Sequence, residues 1–210
     1  MRKTKNWLKI LVIVPAIFLL FSCNPIEDDS RSNSILLVVK ISGTDIEENE
    51  VDFLQSDVSV IDPEAGTSTV AADAAMVTFS AEMLDPEPWL GTSYYNNIYV
   101  TNYVVTYSRS DGKNQEGVDV PYSFDGALTS QVQIGANTDV SFVVVRAVSK
   151  LEPPLVNLAV GRGEGELKTT ARIDFYGHDT LGNTVTATGY LTIFFANYIT
   201  SDEASGGGGN

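Results

Sequence analysis

The clearest pattern along the chain is alternation. Between Thr184 and Phe195, Val185, Ala187, Leu191, Ile193 and Phe195 share one face with Gly189, while Thr184, Thr186, Thr188, Tyr190 and Thr192 share the other. A period of two over a dozen residues predicts a strand with one buried face and one wet, threonine-rich face. Just before it, over 169–176, Ala171, Ile173 and Phe175 alternate with Thr170, Arg172 and Asp174. The Gly- and Asp-containing segment 177–183 between the two runs predicts a β-hairpin. Further runs rich in Val, Ile, Thr, Tyr and Phe predict strands at 35–42, 57–61, 70–83, 98–108, 127–134 and 140–149. Within 70–83 the Ala-rich stretch 71–75 also fits one helical turn. Turn-forming residues separate the runs at 110–114, 124–126, 135–137 and Pro153-Pro154, and no substantial helix is predicted from Ser34 onward. The fold expected from this pattern is all-β: a single antiparallel two-sheet sandwich of about seven to nine strands. It spans 34–200 without a break in composition.

The first residues follow a different pattern. Arg2, Lys3, Lys5 and Lys9 precede an uncharged, mostly apolar run from Ile10 to Phe21. That run is short for a membrane-spanning helix, which needs about 20 apolar residues. A basic start, a short apolar run and a small residue describe an export signal. The run ends Leu20-Phe21-Ser22-Cys23, and Cys23 is the only cysteine of the chain. This resembles the lipobox of bacterial lipoprotein precursors, with Phe21 bulkier than the usual occupant of its position. The resemblance implies cleavage after residue 22 and a diacylglyceryl group on the Cys23 thiol, a suitable nucleophile. Each buried methylene contributes about 0.8 kcal/mol, so two or three acyl chains anchor where one does not. Asn24, rather than Asp, follows the cysteine, which by the same resemblance implies the outer membrane where the source has one. The expected organisation is a signal peptide at 1–22, an acidic tether at 23–33, the sandwich at 34–200 and a Gly-rich disordered tail at 201–210.

The strand pattern resembles immunoglobulin-like and fibronectin-like sandwiches, and the water-stress β-sandwich family of late embryogenesis abundant proteins. The paired cysteines of antibody domains are missing, so no residue-level function carries over.

Composition narrows the chemistry. The 210 residues include 27 Asp and Glu, 13 Lys and Arg, one His and one Cys. Loss of the four signal-peptide cations leaves nine against 27 acids, a net charge of −18. Such a body is not expected to bind nucleic acid, which needs clustered Lys and Arg. One His and one Cys argue against structural zinc, and one Cys excludes an internal disulfide framework.

No catalytic constellation emerges. His178 beside Asp179 lacks a nucleophile motif, and Gly-x-Ser-x-Gly is absent. The run Gly161-Arg162-Gly163-Glu164-Gly165-Glu166 lacks the Lys-Ser/Thr ending of a phosphate loop. Two acidic groups, Asp45/Glu47/Glu48/Glu50/Asp52 and Asp111/Glu116/Asp119, offer oxygen ligands for calcium without EF-hand spacing and read as solvated loops. No cofactor or metal is expected. The most suggestive segment is 85–97, which carries Trp89, Tyr94, Tyr95 and Asn96. Aromatic faces with amide donors suit sugars or peptides; the alternative is that Trp89 and Tyr94 close one end of the core. Similarly, Tyr99, Thr101, Tyr103, Val105 and Tyr107 alternate onto one face, either packing the core or forming a contact patch.

The function expected is that of a non-enzymatic envelope lipoprotein held at the membrane through Cys23, with a candidate binding surface at Trp89, Tyr94, Tyr95 and Asn96. Its partner would be an envelope protein or an extracellular ligand. The alternatives are a structural or accessory subunit of an envelope complex and, further off, an enzyme acting on polysaccharide or peptidoglycan.

Overall fold

The computed structural model describes residues 32–62, 67–85, 87, 89, 91–161 and 165–198. The chain divides into the units Met1–Arg31 and Ser32–Asn210. The signal peptide, Cys23, nearly all of the acidic tether and the tail at 201–210 therefore lie outside the described residues.

Eleven strands are present among these residues: β1 (Ser34–Thr44), β2 (Glu50–Val51), β3 (Phe53–Asp57), β4 (Val60–Asp62), β5 (Thr67–Thr69), β6 (Asp73–Met83), β7 (Ile98–Ser108), β8 (Phe124–Val132), β9 (Asn137–Val145), β10 (Glu166–Asp179) and β11 (Thr184–Ala196). Nine of them make two sheets, ordered β2-β1-β6-β9 and β3-β11-β10-β7-β8, while β4 and β5 pair separately. The strands β1, β6 and β9 take the A, B and E places of an immunoglobulin-like sandwich. The strands β7, β10 and β11 take C, F and G, with β8 beside β7.

One pair departs from the antiparallel expectation. β3 runs parallel to β11, from Phe53 opposite Thr192 to Asp57 opposite Ala196. After β1 the chain turns back into β2, which pairs with Gly43 and Thr44, and crosses to the other sheet at Asp52, with Phe53 and Leu54 close against Gly43. A Cβ there would sit 2.4 Å from the Phe53 carbonyl oxygen and 2.8 Å from Leu54 Cβ. Only glycine lets the two backbones pass so closely. Past that crossing β3 runs opposite to β2 and alongside β11 in the same direction. The sequence run at 57–61 divides accordingly between the end of β3 and the start of β4.

A short helix, α1 (Leu155–Ala159), also departs from the expectation of strands and turns alone. Pro153 and Pro154 lead into it, and Leu155 and Leu158, three apart, turn into the core. The segment expected as a strand at 140–149 ends at Val145 and gives way to a 3₁₀ turn over Ala147–Leu151. The Ala-rich stretch is extended from Asp73 onward.

The core is aromatic where the sheets face each other. Phe79 of β6 and Phe142 of β9 meet Phe175 of β10 edge to face, with centroids 4.9 and 5.4 Å apart. Tyr103 joins them from β7, 5.2 Å from Phe142. Two tyrosines then cross the whole core. Tyr103 donates to the Val143 carbonyl at 2.9 Å and Tyr107 to the Val144 carbonyl at 2.6 Å, both on β9 in the opposite sheet. Burial pushes the Tyr107 phenol far above its ordinary range, which keeps it a donor, although Arg146 nearby pulls the other way.

One end of the sandwich is closed by a buried cation. Lys150, 2% exposed, donates to the Asp57 carbonyl at 2.7 Å and reaches the Asp73 carboxylate oxygens at 3.0 and 2.9 Å. Ser56 donates to the same carboxylate at 2.6 Å. The ammonium thus links the end of β3, the start of β6 and the 3₁₀ turn after β9. Truncation would leave a carboxylate and a carbonyl without it. Lys150→Ala is expected to lower unfolding free energy by about 3–5 kcal/mol, and Lys150→Met, which keeps the buried stem, by less. Tyr107→Phe, which strands one buried carbonyl, is expected to cost about 1–2 kcal/mol. Urea denaturation of the three variants checks both values and their order.

Candidate functional site

The opposite end of the sandwich is open. Four segments meet there: residues 32 and 33 leading into β1, the loop from β6 to β7, the turn from β8 to β9, and the tip of the β10–β11 hairpin. Ser34 pairs with Met83, which brings the start of β1 beside the end of β6. Asn33 accepts from Leu84 N at 2.9 Å, and Gly135 N donates to the Ala81 carbonyl.

The hairpin tip is fixed by one carboxylate. Asp179, buried at the end of β10, accepts from Leu181 N, Asn183 N and Asn183 Nδ2, each at 2.9 Å. Burial works to raise its pKa. The Asn183 side chain and backbone, the Ser32 hydroxyl and Leu181 N–H together outweigh it and hold the carboxyl below the usual carboxylate range. The Ser32 bond also pins the start of the sandwich to the tip. His178 lies at the end of β10 rather than in a loop. Its ring stacks on Tyr99 at 5.8 Å, and its Nδ1 lies 2.8 Å from the Asp179 carbonyl. These contacts make it part of the scaffold.

The loop from β6 to β7 ends in a 3₁₀ turn, Tyr94–Asn96. Asn96 builds this turn from within. Its Oδ1 accepts from Ser93 N at 2.9 Å and Ser93 Oγ at 3.0 Å, and its carbonyl accepts from Ser34 Oγ at 2.8 Å. The turn throws Tyr94 and Tyr95 outward, each 62% exposed, with rings 6.4 Å apart and steeply inclined. Tyr94 is held from two sides: its hydroxyl lies 2.7 Å from Tyr99 Oη, and its carbonyl accepts from Thr180 Oγ1. The bond to Tyr94 raises the Tyr99 pKa, desolvation adds to this, and the Thr180 hydroxyl opposes it. Trp89 stands 96% exposed. Trp89 and Tyr94 therefore do not close the core; they form its outer surface. Beside Trp89 lies an open pocket of about 550 Å³. Its walls are Asn33, Met83, Leu84 and Asp85 from the two strand ends, and Trp89, Gly91, Ser93 and Asn96 from the loop.

The alternating tyrosine face of β7 does not survive intact. A bulge at Thr101, opposite the step from Tyr176 to Gly177, shifts the register. Tyr103 and Tyr107 face the core with Ile98 and Val100, while Tyr99 faces outward and reaches Tyr94. Tyr99, expected on one face with Tyr103 and Tyr107, joins the surface instead, and so do Leu84, Leu181 and Asn33, which lie outside the segment that the sequence marks. Leu181 alone carries a signal, an aliphatic residue at the tip of a turn, 69% exposed.

Several of the acidic side chains are engaged within their own loops, and Glu50 pairs with Lys40 of β1. Asp45 Oδ1 accepts from Glu47 N and Asn49 N, both at 2.9 Å. Asp111 receives the Arg109 guanidinium at 3.1 and 2.7 Å. Asp119 and Glu116 accept from Gln115 N and Ser123 N. Among the described residues no three His, Cys, Asp or Glu side chains converge as a metal site. The run at 161–166 is described only at Gly161, Gly165 and Glu166; its middle lies outside the described residues.

No protein-family model matches this chain, and no curated protein matches it.

The pH dependence of stability follows from Asp179. Its folded pKa is depressed, so its contribution is complete above the unfolded carboxylate value of about 4. The contribution is lost as pH falls through the lower folded value. Unfolding free energy measured from neutral to acid pH should fall less steeply in Asp179→Asn than in the wild type.

Proposed function

We propose that this protein is a lipid-anchored, non-enzymatic binding module of the bacterial envelope. Its recognition surface would be the open end of the sandwich, around Trp89, Tyr94 and Tyr95. The observation that carries the reading is the exposure of three large aromatic side chains at one end, Tyr94 and Tyr95 on a braced turn and Trp89 beside an open pocket. Large exposed aromatic side chains gathered at one end favour association, and the bonds at Tyr94 and Asn96 hold part of that surface in place. The lipobox resemblance at Leu20-Phe21-Ser22-Cys23 supports the anchor, and the negative charge of the body supports the need for one. The outer membrane is the proposed address, from Asn24 after the cysteine.

A structural subunit without its own ligand is the second reading. It is favoured by the exposed Ile35, Leu37 and Val39 of β1, a strand whose outer edge, among the described residues, is paired only at Gly43 and Thr44.

Two measurements test this. Mass spectrometry of the N-terminal peptide should find Cys23 acylated, and Cys23→Ser should leave the membrane fraction. A serine variant retained in the same cleaved form as wild type would overturn the anchor. Cross-linking in intact envelopes should lose its main adduct in Trp89→Ala/Tyr94→Ala/Tyr95→Ala. An adduct that persists in that variant would favour the structural subunit.

A further inference from the structure

We infer that the aromatic end of the sandwich rests on the membrane that holds the anchor, with Trp89, Tyr94 and Tyr95 seated among zwitterionic phospholipid headgroups. The inference rests on the lipid-anchor reading above and names the partner of the same surface.

Chain length and strand direction are the first argument. Ser32 lies nine residues after Cys23. At about 3.3–3.6 Å per residue, that leash spans at most roughly 30 Å. Its inner end is tied into the aromatic end itself, through Ser32 to Asp179 and Ser34 to the Asn96 carbonyl. The thirteen residues of β11 run away from this end and measure about 43 Å at strand rise. The leash is thus shorter than the body, and the aromatic end is the part held nearest the bilayer. Contact with the surface becomes an intramolecular event, so a weak patch suffices.

Side-chain chemistry is the second argument. Trp and Tyr favour the boundary between headgroups and acyl chains, where the ring is buried and the N–H or O–H stays hydrated. Leu84 and Leu181, 58% and 69% exposed, add aliphatic area at the same end. Charge then selects the lipid. The segments that build this end, 32–33, 84–97, 133–136 and 180–183, contain Asp85 and Glu87 and no Lys or Arg. An anionic surface would repel them, whereas a zwitterionic one offers its ammonium groups to the two carboxylates.

The chain supplies its own probe. Its two tryptophans are Trp7 and Trp89, so only Trp89 remains once residues 1–22 are cleaved. The mature full-length protein is reconstituted in phosphatidylcholine vesicles, with and without bromine on the acyl chains near the headgroup. Acylation of Cys23 is checked by mass in the same sample. The expected result is quenching of Trp89 by the brominated lipid and emission at shorter wavelength than in soluble Cys23→Ser protein made without residues 1–22, which likewise holds Trp89 alone. The quenching should weaken with added phosphatidylglycerol and in Tyr95→Ser/Leu181→Ser. Because both side chains are exposed and neither hydroxyl nor aliphatic group braces the turn, that variant should keep the wild-type melting temperature. An acylated protein whose Trp89 is unquenched, and as open to iodide as in that soluble control, would overturn the inference and leave the anchor standing. So would Trp89 emission that responds only to added envelope polysaccharide or protein. An unmodified Cys23 would overturn both.

Discussion

The bulge at Thr101 is the constraint on which core and surface both depend. Before it, β7 turns Ile98 and Val100 inward and Tyr99 outward; after it, Tyr103, Val105 and Tyr107 turn inward. A strand without the extra residue would keep one parity throughout. Tyr99 would then share the face of Tyr103 and Tyr107, and Tyr94 would lose its hydroxyl partner at the open end. With the bulge, one strand serves two purposes. Its second half sends phenols through the core to the Val143 and Val144 carbonyls, and its first half props up the exposed turn.

The two ends of the sandwich are built on different principles. At one, Lys150 gathers Asp57, Asp73 and Ser56 into a network whose ammonium is shut away from water. Desolvating an ammonium is costly, so this network fixes how β3, β6 and the turn after β9 meet rather than adding much net stability. At the other, order comes from short local bonds: Asp179 to its own hairpin, and Asn96 to its own turn. These hold the backbone while leaving large side chains in solvent. Such an end can present a surface without first having to organise it.

Much of this was legible in the sequence, and what was not has definite causes. Alternation placed β7 at 98–108 and β11 within a residue of its end, because a half-buried strand writes its burial directly into its residues. β3 was misplaced, since it follows a short turn back into β2 and a crossing between sheets beside Gly43, neither of which a local pattern records. The helix α1 is five residues long, too short for a helical period to show. At the open end, Trp89, Tyr94 and Tyr95 stood out as aromatic residues in a polar loop, and the structure exposes all three. Asn96 stood out equally as a contact residue, yet its amide oxygen is occupied by Ser93. Asn33 and Leu181 reach the site only because β1 starts, and the hairpin turns, at that end.

The parallel pairing of β3 with β11 bears on how the domain would carry a load. The described chain comes in at Ser32, at one end of the sandwich, and β11 delivers it to Ala196 at the other. Tension between these points pulls β1 and β11 along their own lengths, in opposite directions. The eight registered pairs of β1 with β6 and the thirteen of β10 with β11 are then strained side by side. They slide in shear instead of opening one at a time, as they would if both points lay at the same end. Forced unfolding is governed by the unfolding rate rather than by equilibrium stability. This geometry raises the mechanical threshold of a domain tethered at one end and tugged at the other, whatever its melting temperature.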